Sequence, residues 1–219
     1  MKILVADVGG NNVKLLATGR HKIVKVPSGP DLIPQRLVAG IHEATANWTY
    51  DAITIGLPAP VINGRLIREP VNLGGGWLGF DLAANFAKPV KLINDAAMQA
   101  LGSYEGGRML FLGLGTGLGS AMVLDGVVVP LELAHLPYRK GWTYEDCLGR
   151  RGLERLGQRK WERALADVVE CFKAALVVEE VVIGGGNCKL LNEIPPGVRL
   201  GSNRHAFLGG FRLWSSKAA

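Results

Sequence analysis

The chain has 219 residues, of which 48% are hydrophobic and 20% are charged, a balance that is typical of a globular protein and excludes a disordered or fibrous one. Lysine and arginine total 25 against 19 acidic residues, and the formal net charge of +6 favours an anionic partner such as phosphate, a polyanion, nucleic acid or a membrane surface. The 3 cysteines are widely spaced and no apolar run approaches about 18 residues, so a disulfide framework and a transmembrane helix are excluded and a cytoplasmic protein is predicted.

The first half of the chain reads as a meander of three strands followed by alternating helices and strands. Apolar runs bounded by glycine and polar turns indicate the strands, and apolar residues at a spacing of 3.6 indicate the helices. In chain order we predict strands 2–8, 13–18 and 22–26, helix 31–48, strand 51–57, helix 80–87, strand 90–93 and helix 96–101.

The second half repeats this order. Its predicted elements are strands 109–114, 119–124 and 127–129, a long helical stretch through 161–176, strand 180–183 and helix 205–214. A glycine turn follows the first strand of each half, at 9–12 and at 115–117. This duplicated βββαβα pattern predicts an α/β fold of two related lobes with a cleft between them, and backbone N–H groups of both turns can point into that cleft.

A carboxylate, a glycine turn and a lysine stand together at the end of the first strand. Residues 7–14 read Asp-Val-Gly-Gly-Asn-Asn-Val-Lys. Glycine permits close approach to phosphate oxygens, Lys14 can pair with them, and Asp7 can hold a hydrated Mg²⁺. An ordinary hairpin turn explains the same residues without a ligand. No P-loop motif occurs and no GxGxxG opens a helix after a strand, so those nucleotide folds lose support.

Asp95 ends an apolar strand and opens a predicted helix, which is where ligands gather in α/β folds. A carboxylate at this place can accept the proton of a sugar hydroxyl as the hydroxyl oxygen attacks a phosphorus atom. The alternative interpretation from spacing alone is that Asp95 is the N-cap of the helix.

Glu132 and His135 are three residues apart, so they can share a helix face and grip vicinal sugar hydroxyls. Half of a di-iron site has the same Glu-x-x-His spacing, but a second copy of the motif is missing from the sequence. The alternative for His135 is a buried core histidine. Trp77, in a glycine-rich loop, is either a wall of the site or a core residue.

Five motifs, in order along nearly the whole chain, resemble those of the ROK family of actin-like sugar kinases, and most closely its polyphosphate glucokinase branch. They are the first phosphate motif (7–14), the catalytic Asn-Asp (92–95), the second phosphate motif (114–120), the sugar-binding Glu-x-Gly-His (132–135) and the third glycine motif (183–187). Five motifs in one order are far more specific than any one of them.

The resemblance implies a two-lobed actin-like (ribonuclease H-like) fold, with an N-terminal lobe at 1–106 and a C-terminal lobe at 107–219 whose final helix is a candidate to return to the first lobe. It implies that Asp95 is the general base and that Mg²⁺ is held by Asp7, through water. The implied sugar contacts are Asn72, Asn94, Asp95, Glu132, His135 and Glu154. The implied phosphate and nucleotide contacts are Asp7, Gly9, Gly10, Asn11, Asn12, Lys14, Gly115, Thr116, Gly117, Gly184, Gly185, Gly186 and Asn187.

The chain departs from the family pattern at two places. Ala134 replaces the usual glycine of the sugar motif, and the cysteine cluster that binds zinc in many members is missing, with Cys147 alone remaining near it. We therefore expect no zinc. The segment that begins at Cys147 otherwise resembles the one whose terminal glutamate binds sugar, which is the basis for including Glu154. The chain is also shorter than most relatives.

These motifs predict a phosphotransferase that moves a terminal phosphoryl group from polyphosphate or ATP to the 6-hydroxyl of glucose. The resemblance further implies a homodimer with neither a nucleic-acid nor a membrane partner. An ATP-dependent kinase for another hexose or an N-acetylhexosamine is the alternative within the fold, and a non-catalytic sugar-binding regulator is the alternative from another class. A repressor would need a helix-turn-helix before the first strand, whereas this chain starts at the strand.

A basic stretch lies at 150–163, with six cations against Glu154 and Glu162. The cations are Arg150, Arg151, Arg155, Arg159, Lys160 and Arg163. One interpretation is a solvated face, with Gly157 breaking the helix. The other is an extension of the phosphate site that binds a long polyanion.

Overall fold

A computed structural model describes residues 1–215. The last four residues of the predicted second lobe, 216–219, lie outside this range. We call 1–106 the first half and 107–215 the second half. The division into lobes at this boundary stays a prediction, since each half forms its own sheet but the two also share a core.

The first half contains a five-stranded mixed sheet with β1 at its centre. Its elements are β1 (Ile3–Val8), β2 (Asn12–Ala17), β3 (Val24–Pro27), β4 (Ala52–Leu57), the hairpin of β5 (Val61–Ile62) and β6 (Arg65–Leu66), and β7 (Val90–Asn94). The strand order is β3-β2-β1-β4-β7, with β1 antiparallel to β2 and parallel to β4. Every residue of β1 and β4 is buried, as expected for central strands covered on both faces.

The second half repeats this sheet. Its strands are β8 (Arg108–Leu114), β9 (Leu118–Leu124), β10 (Val127–Leu131), β11 (Glu180–Gly184) and β12 (Val198–Leu200). Their order, β10-β9-β8-β11-β12, is that of the first sheet with each strand replaced by its counterpart. The sequence pattern missed β12 and the β5–β6 hairpin, because strands of two or three residues are too short to show a period of two.

The helix ends agree only in part with the predicted ones: the first helix ends at Ala44 rather than at 48, and the last ends at Arg212 rather than at 214. The helices are α1 (Pro34–Ala44), α2 (Leu82–Phe86), α3 (Asp95–Ser103), α4 (Tyr144–Leu148), α5 (Arg150–Leu156), α6 (Gln158–Leu176) and α7 (His205–Arg212), with 3₁₀ helices at Leu133–His135 and Gly186–Leu190. Helix α1 starts later than predicted because Ile33, which precedes a proline, is extended with ψ 161°. The predicted break at Gly157 is confirmed, since its φ of +73° separates α5 from α6. Within 1–215, no helix combines the length and apolar character needed to cross a membrane.

Helices α3 and α7 occupy equivalent places in the two halves and pack against each other between the sheets. Gly102 and Gly209 make this crossing possible, because a Cβ on either would collide with backbone atoms of the other helix. Helix α7 also returns to the first sheet, where the Thr54 hydroxyl donates to the Gly210 carbonyl over 2.8 Å. The two halves are therefore joined through a shared core that includes both helices.

Candidate active site

Asp95 stands at the junction of β7 and α3, at the first position of the helix. The N-cap is its neighbour Asn94, whose Oδ1 accepts the Ala97 N–H over 3.0 Å, while its Nδ2 donates to the Ala59 carbonyl over 3.3 Å. The interpretation of Asp95 as the N-cap is therefore wrong. Its own Oδ1 accepts the Ala96 N–H over 2.8 Å, which leaves Oδ2 for another partner.

The pKa of Asp95 is raised from 3.8 to about 7. Burial is the largest cause, followed by the negative charge of Asp7 and, more weakly, that of Glu132, while the Ala96 N–H opposes the shift. Part of the residue remains accessible. A carboxyl group whose pKa lies near neutrality, within reach of solvent, is suited to take and release a proton.

Asp7 and Lys14 form an ion pair at the base of the first glycine turn. They face each other across the β1–β2 ladder, and Lys14 Nζ lies 2.8 Å from Asp7 Oδ2. The Asp7 side chain is 7% exposed and that of Lys14 32%. Because the ammonium is already paired and partly accessible, it can contact an incoming phosphate without losing Asp7.

Two carboxylates, Asp7 and Asp95, are close enough here for the charge of one to act on the other. Among residues 1–215 there is no group of three or more His, Cys, Asp or Glu side chains with metal-binding geometry. Mg²⁺ is commonly held by one or two carboxylates together with water and substrate phosphates. The residues present therefore fit a hydrated Mg²⁺ at Asp7.

The first glycine turn is open to ligands. The Gly9 N–H donates to the Asn12 carbonyl over 3.0 Å, which closes the turn between β1 and β2. Gly10 and Asn11 are exposed, and a Cβ on Gly10 would meet no atom within 4 Å. Gly10 is thus not required by packing inside the chain, and the space beside it is available to a phosphate.

The second and third glycine motifs are in contact. The Asn187 amide donates to the Gly115 carbonyl over 2.8 Å, and Gly185, at φ +85°, lies so close to the Leu114 backbone that a Cβ would collide with it. The Gly115 N–H donates to the Gly117 carbonyl over 3.1 Å. Gly115 and Asn187 are 72 residues apart in sequence. The second and third glycine motifs therefore form one glycine-rich surface.

Glu145 is a residue of this surface that the sequence motifs missed. Its Oε2 accepts the Leu118 N–H over 3.1 Å, directly after the second turn, and a Cβ on Gly117 would collide with the same carboxylate. The available signal was the capping box of Thr143 and Asp146, which fixes the start of α4 and hence the position of Glu145.

Glu132 and His135 lie on opposite ends of a short turn at the end of β10. Their Oε2 and Nε2 atoms are 3.4 Å apart, and the side chains are 49% and 64% exposed. The interpretation of His135 as a core histidine is therefore wrong. Ser120 holds the segment by donating to the Leu131 carbonyl over 2.9 Å and accepting the Leu133 N–H over 3.1 Å. Ala134, between the two side chains in sequence, is buried in the hydrophobic core of the second half.

Asn72, Trp77 and Glu154 have different surroundings. Trp77 is a core residue, 2% exposed, and its indole N–H donates to the Gly74 carbonyl over 2.6 Å. Asn72 and Glu154 are exposed, and within 1–215 no hydrogen bond or ion pair joins either side chain to Asp95 or Glu132. Their sugar contacts remain predictions.

Comparison with known proteins identifies this arrangement of sheets. No protein-family model matches the sequence. The polyphosphate glucokinase of Mycobacterium leprae is 23% identical over 204 residues, which cover 82% of this chain but only 62% of that protein. The chain thus spans less than two thirds of the length of this relative.

Solved structures match over nearly the full chain. The inorganic polyphosphate/ATP-glucomannokinase of Arthrobacter sp. strain KM is 23% identical with a TM-score of 0.80, and 95% of this chain covers 96% of it. The ROK family glucokinase of Streptomyces griseus, solved with glucose and AMPPNP, is 16% identical with a TM-score of 0.74, and the coverage is 97% and 99%. The ROK hexokinase of Thermus thermophilus is 22% identical with a TM-score of 0.65, and the coverage is 96% of each chain. The predicted fold class is confirmed: the chain has the two-sheet, actin-like α/β fold of the ROK sugar kinases.

Proposed function

We propose that the protein is a sugar kinase that transfers a terminal phosphoryl group to the 6-hydroxyl of glucose. The observation that carries this proposal is the environment of Asp95. A carboxyl group with a pKa of about 7 lies within electrostatic reach of Asp7 in the first half and Glu132 in the second. The names of the relatives, which include glucokinases, support the same reaction and acceptor.

In this mechanism Asp95 is the general base. The 6-hydroxyl oxygen of the sugar forms a bond to the terminal phosphorus as the bond from that phosphorus to the bridging oxygen of the donor breaks, and the hydroxyl proton moves to a carboxylate oxygen of Asp95. Glu132 and His135 bind other hydroxyls of the sugar. The Lys14 ammonium and the N–H groups of the glycine turns stabilise the negative charge on the transferring group.

Mg²⁺ belongs to the proposal as well. Asp7 would hold it through water, and the ion would supply charge neutralisation on the donor phosphates. Lys14 Nζ, 2.8 Å from Asp7 Oδ2, holds the Asp7 side chain in place beside the turn. The homodimer, the cytoplasmic location and the lack of zinc, nucleic-acid and membrane partners remain predictions.

For the donor we propose polyphosphate in addition to ATP, on account of a groove beside the third glycine motif. This groove has a volume of about 700 Å³ and is lined by Arg159 and Arg163 of α6 and by the segment 192–196, and the carboxylates Glu162 and Glu193 belong to the same lining. Glu162 Oε1 is already engaged, because it accepts from Gln158 Nε2 over 2.8 Å and from the Asn192 N–H over 2.7 Å. Neither arginine forms an ion pair with a carboxylate of residues 1–215. Gln158 donates to the Leu190 carbonyl, which ties α6 to the 3₁₀ helix that begins within the glycine motif.

Arg155, one turn earlier, has a different role. Its guanidinium lies 3.6 Å from the ring centroid of Trp142 and donates to the Asp146 carbonyl over 2.6 Å. Because it is held by α4 and the preceding loop, we exclude it from the polyanion site. The basic stretch thus divides at Gly157, and the candidates for donor binding are Arg159 and Arg163.

The test is formation of glucose 6-phosphate, measured by a coupled dehydrogenase assay with ATP and polyphosphate compared side by side. We expect turnover with both donors. Turnover with ATP alone would contradict the polyphosphate proposal and keep the kinase. No product with either donor, from folded protein supplied with glucose, mannose and N-acetylhexosamines, would favour the non-catalytic alternative.

A further inference from the structure

A second cavity, of about 670 Å³, lies between the two halves along the free edge of β7. The first half lines it with the β5–β6 hairpin and the residues of β7, and the second half lines it with β10 and Glu132. Strand β10 is likewise an edge strand. The proposed phosphoryl transfer uses Glu132 of this lining but none of the apolar walls.

The walls of the cavity expose apolar side chains to solvent. Ile62 and Ile67 are 56% and 48% exposed, although both line this concave surface. Leu92 and Val128 face it from the two sheets. A concave, mainly apolar surface is the usual form of a small-molecule site, and filling it removes apolar area from water.

The one cation on the wall is already engaged. Lys91 Nζ donates to the Leu213 carbonyl over 2.7 Å and lies 4.7 Å from the ring centroid of Trp214. The remaining charged group is Glu132, at one end of the cavity. A ligand that fits this lining has an apolar body and a polar end directed at Glu132.

Glu132 connects the cavity to the candidate active site. It lines the cavity, and its charge also contributes to the raised pKa of Asp95. Asp95 itself does not line the cavity. A sugar placed between Asp95 and Glu132 would therefore present its end remote from the 6-hydroxyl to the cavity.

We propose that this cavity binds an apolar substituent of the acceptor sugar, so that the enzyme phosphorylates hexosides with an alkyl or aryl aglycone. The inference rests on the proposed kinase function. The reaction balances as for glucose: the 6-hydroxyl oxygen bonds to phosphorus, the bridging bond of the donor breaks, the proton moves to Asp95 and the glycosidic bond stays intact.

The test compares glucose with phenyl α- and β-D-glucopyranoside as acceptors. For one of the two anomers we expect a kcat/KM above that of glucose by about tenfold, the range that small apolar groups supply in a matching pocket. Ile67→Trp fills the cavity and is expected to lower kcat/KM for that glucoside by about tenfold while glucose changes by less than about twofold. Leu208→Trp is the matched control, since Leu208 is 40% exposed on α7 and lies outside the cavity.

The outcomes separate the inference from the function on which it rests. Phosphorylation of glucose without either glucoside overturns the inference and leaves the kinase in place, as does an Ile67→Trp variant that treats glucose and glucoside alike. Failure of every acceptor with every donor overturns the kinase and the inference together. Circular dichroism and thermal melting confirm that both tryptophan variants are folded.

Discussion

Two opposing effects act on the ionisation of the Asp95 carboxyl group. Its place at the first position of α3 favours the ionised form, because helix N-termini stabilise negative charge. Burial and the charges of Asp7 and Glu132 act in the other direction and prevail, since the pKa is raised to about 7. The residue is therefore close to half-ionised at neutral pH.

We expect Asp95→Asn to lower kcat by about 10²- to 10⁴-fold with little change in sugar affinity, because the amide has the same shape but cannot accept the hydroxyl proton. The control is Asp125→Asn, the same chemical change in the exposed turn between β9 and β10. Because folding raises the pKa of this carboxyl from 3.8 to about 7, its ionisation destabilises the folded protein increasingly from about pH 4 to about pH 7. At pH 8 the variant should therefore have a higher melting temperature than wild type, with a free energy of unfolding larger by at most roughly 4 kcal/mol. A variant that keeps more than about a tenth of wild-type kcat shows that Asp95 is not the base.

The pH dependence of the reaction gives an independent test of the same group. The ionised form of Asp95 is the active one, so kcat/KM should rise about tenfold per pH unit below 7 and level off above it. The profile is measured with donor and Mg²⁺ saturating. The rise of kcat/KM with pH below 7 should be absent in Asp95→Asn. A limb centred near pH 4 would mean that the carboxyl titrates as an ordinary aspartate.

In our proposal, the groove between helix α6 and the 192–196 segment binds polyphosphate and contributes little to ATP binding. We expect Arg159→Ala combined with Arg163→Ala to raise KM for polyphosphate much more than KM for ATP, and to flatten the salt dependence of the polyphosphate reaction, because a polyanion held by fewer cations releases fewer counterions. The matched control is Lys2→Ala with Lys22→Ala, which removes the same charge from exposed positions. Equal effects on both donors would assign the two arginines to the general surface.

The crossing of α3 and α7 depends on glycine. We expect Gly209→Ala to destabilise the protein by about 1–3 kcal/mol or more, because the added methyl collides with the Met98 carbonyl and the Gly102 N–H rather than with a flexible side chain. Helix propensity alone predicts the opposite sign, about 1 kcal/mol of stabilisation. The free energy of unfolding of Gly209→Ala, measured with denaturant, decides between the steric and the helix-propensity predictions. Leu208→Ala, at the exposed neighbouring position, is the control.

At the scale of the whole molecule, the candidate site is built from both halves. Asp7, Asn94 and Asp95 come from the first and Glu132 and His135 from the second, while α3 and α7 connect them. We therefore expect glucose with a non-hydrolysable ATP analogue to draw the halves together and lower the radius of gyration measured by X-ray scattering. An unchanged scattering profile at saturation of both ligands would mean that the site is already closed.

The sequence by itself determined the order of the main elements, their duplication and the places of the glycine turns. These features are local, since period and turn chemistry over 4–20 residues are enough to specify them. The same local signals predicted the break at Gly157 and the chemistry available at Asp95. Strands as short as β5, β6 and β12 carry too few residues for such a signal.

Only the tertiary structure decided which of these residues meet. Spacing left Asp95 as either base or N-cap, and the hydrogen bond from the Ala97 N–H to Asn94 excluded the N-cap, while the role as base stays a proposal. Long-range packing placed Glu145 at the second glycine turn, turned His135 to the surface, and separated Arg155 from Arg159. The physical reason is that a pKa or a binding groove depends on charges and surfaces from segments distant in sequence, which no local pattern records.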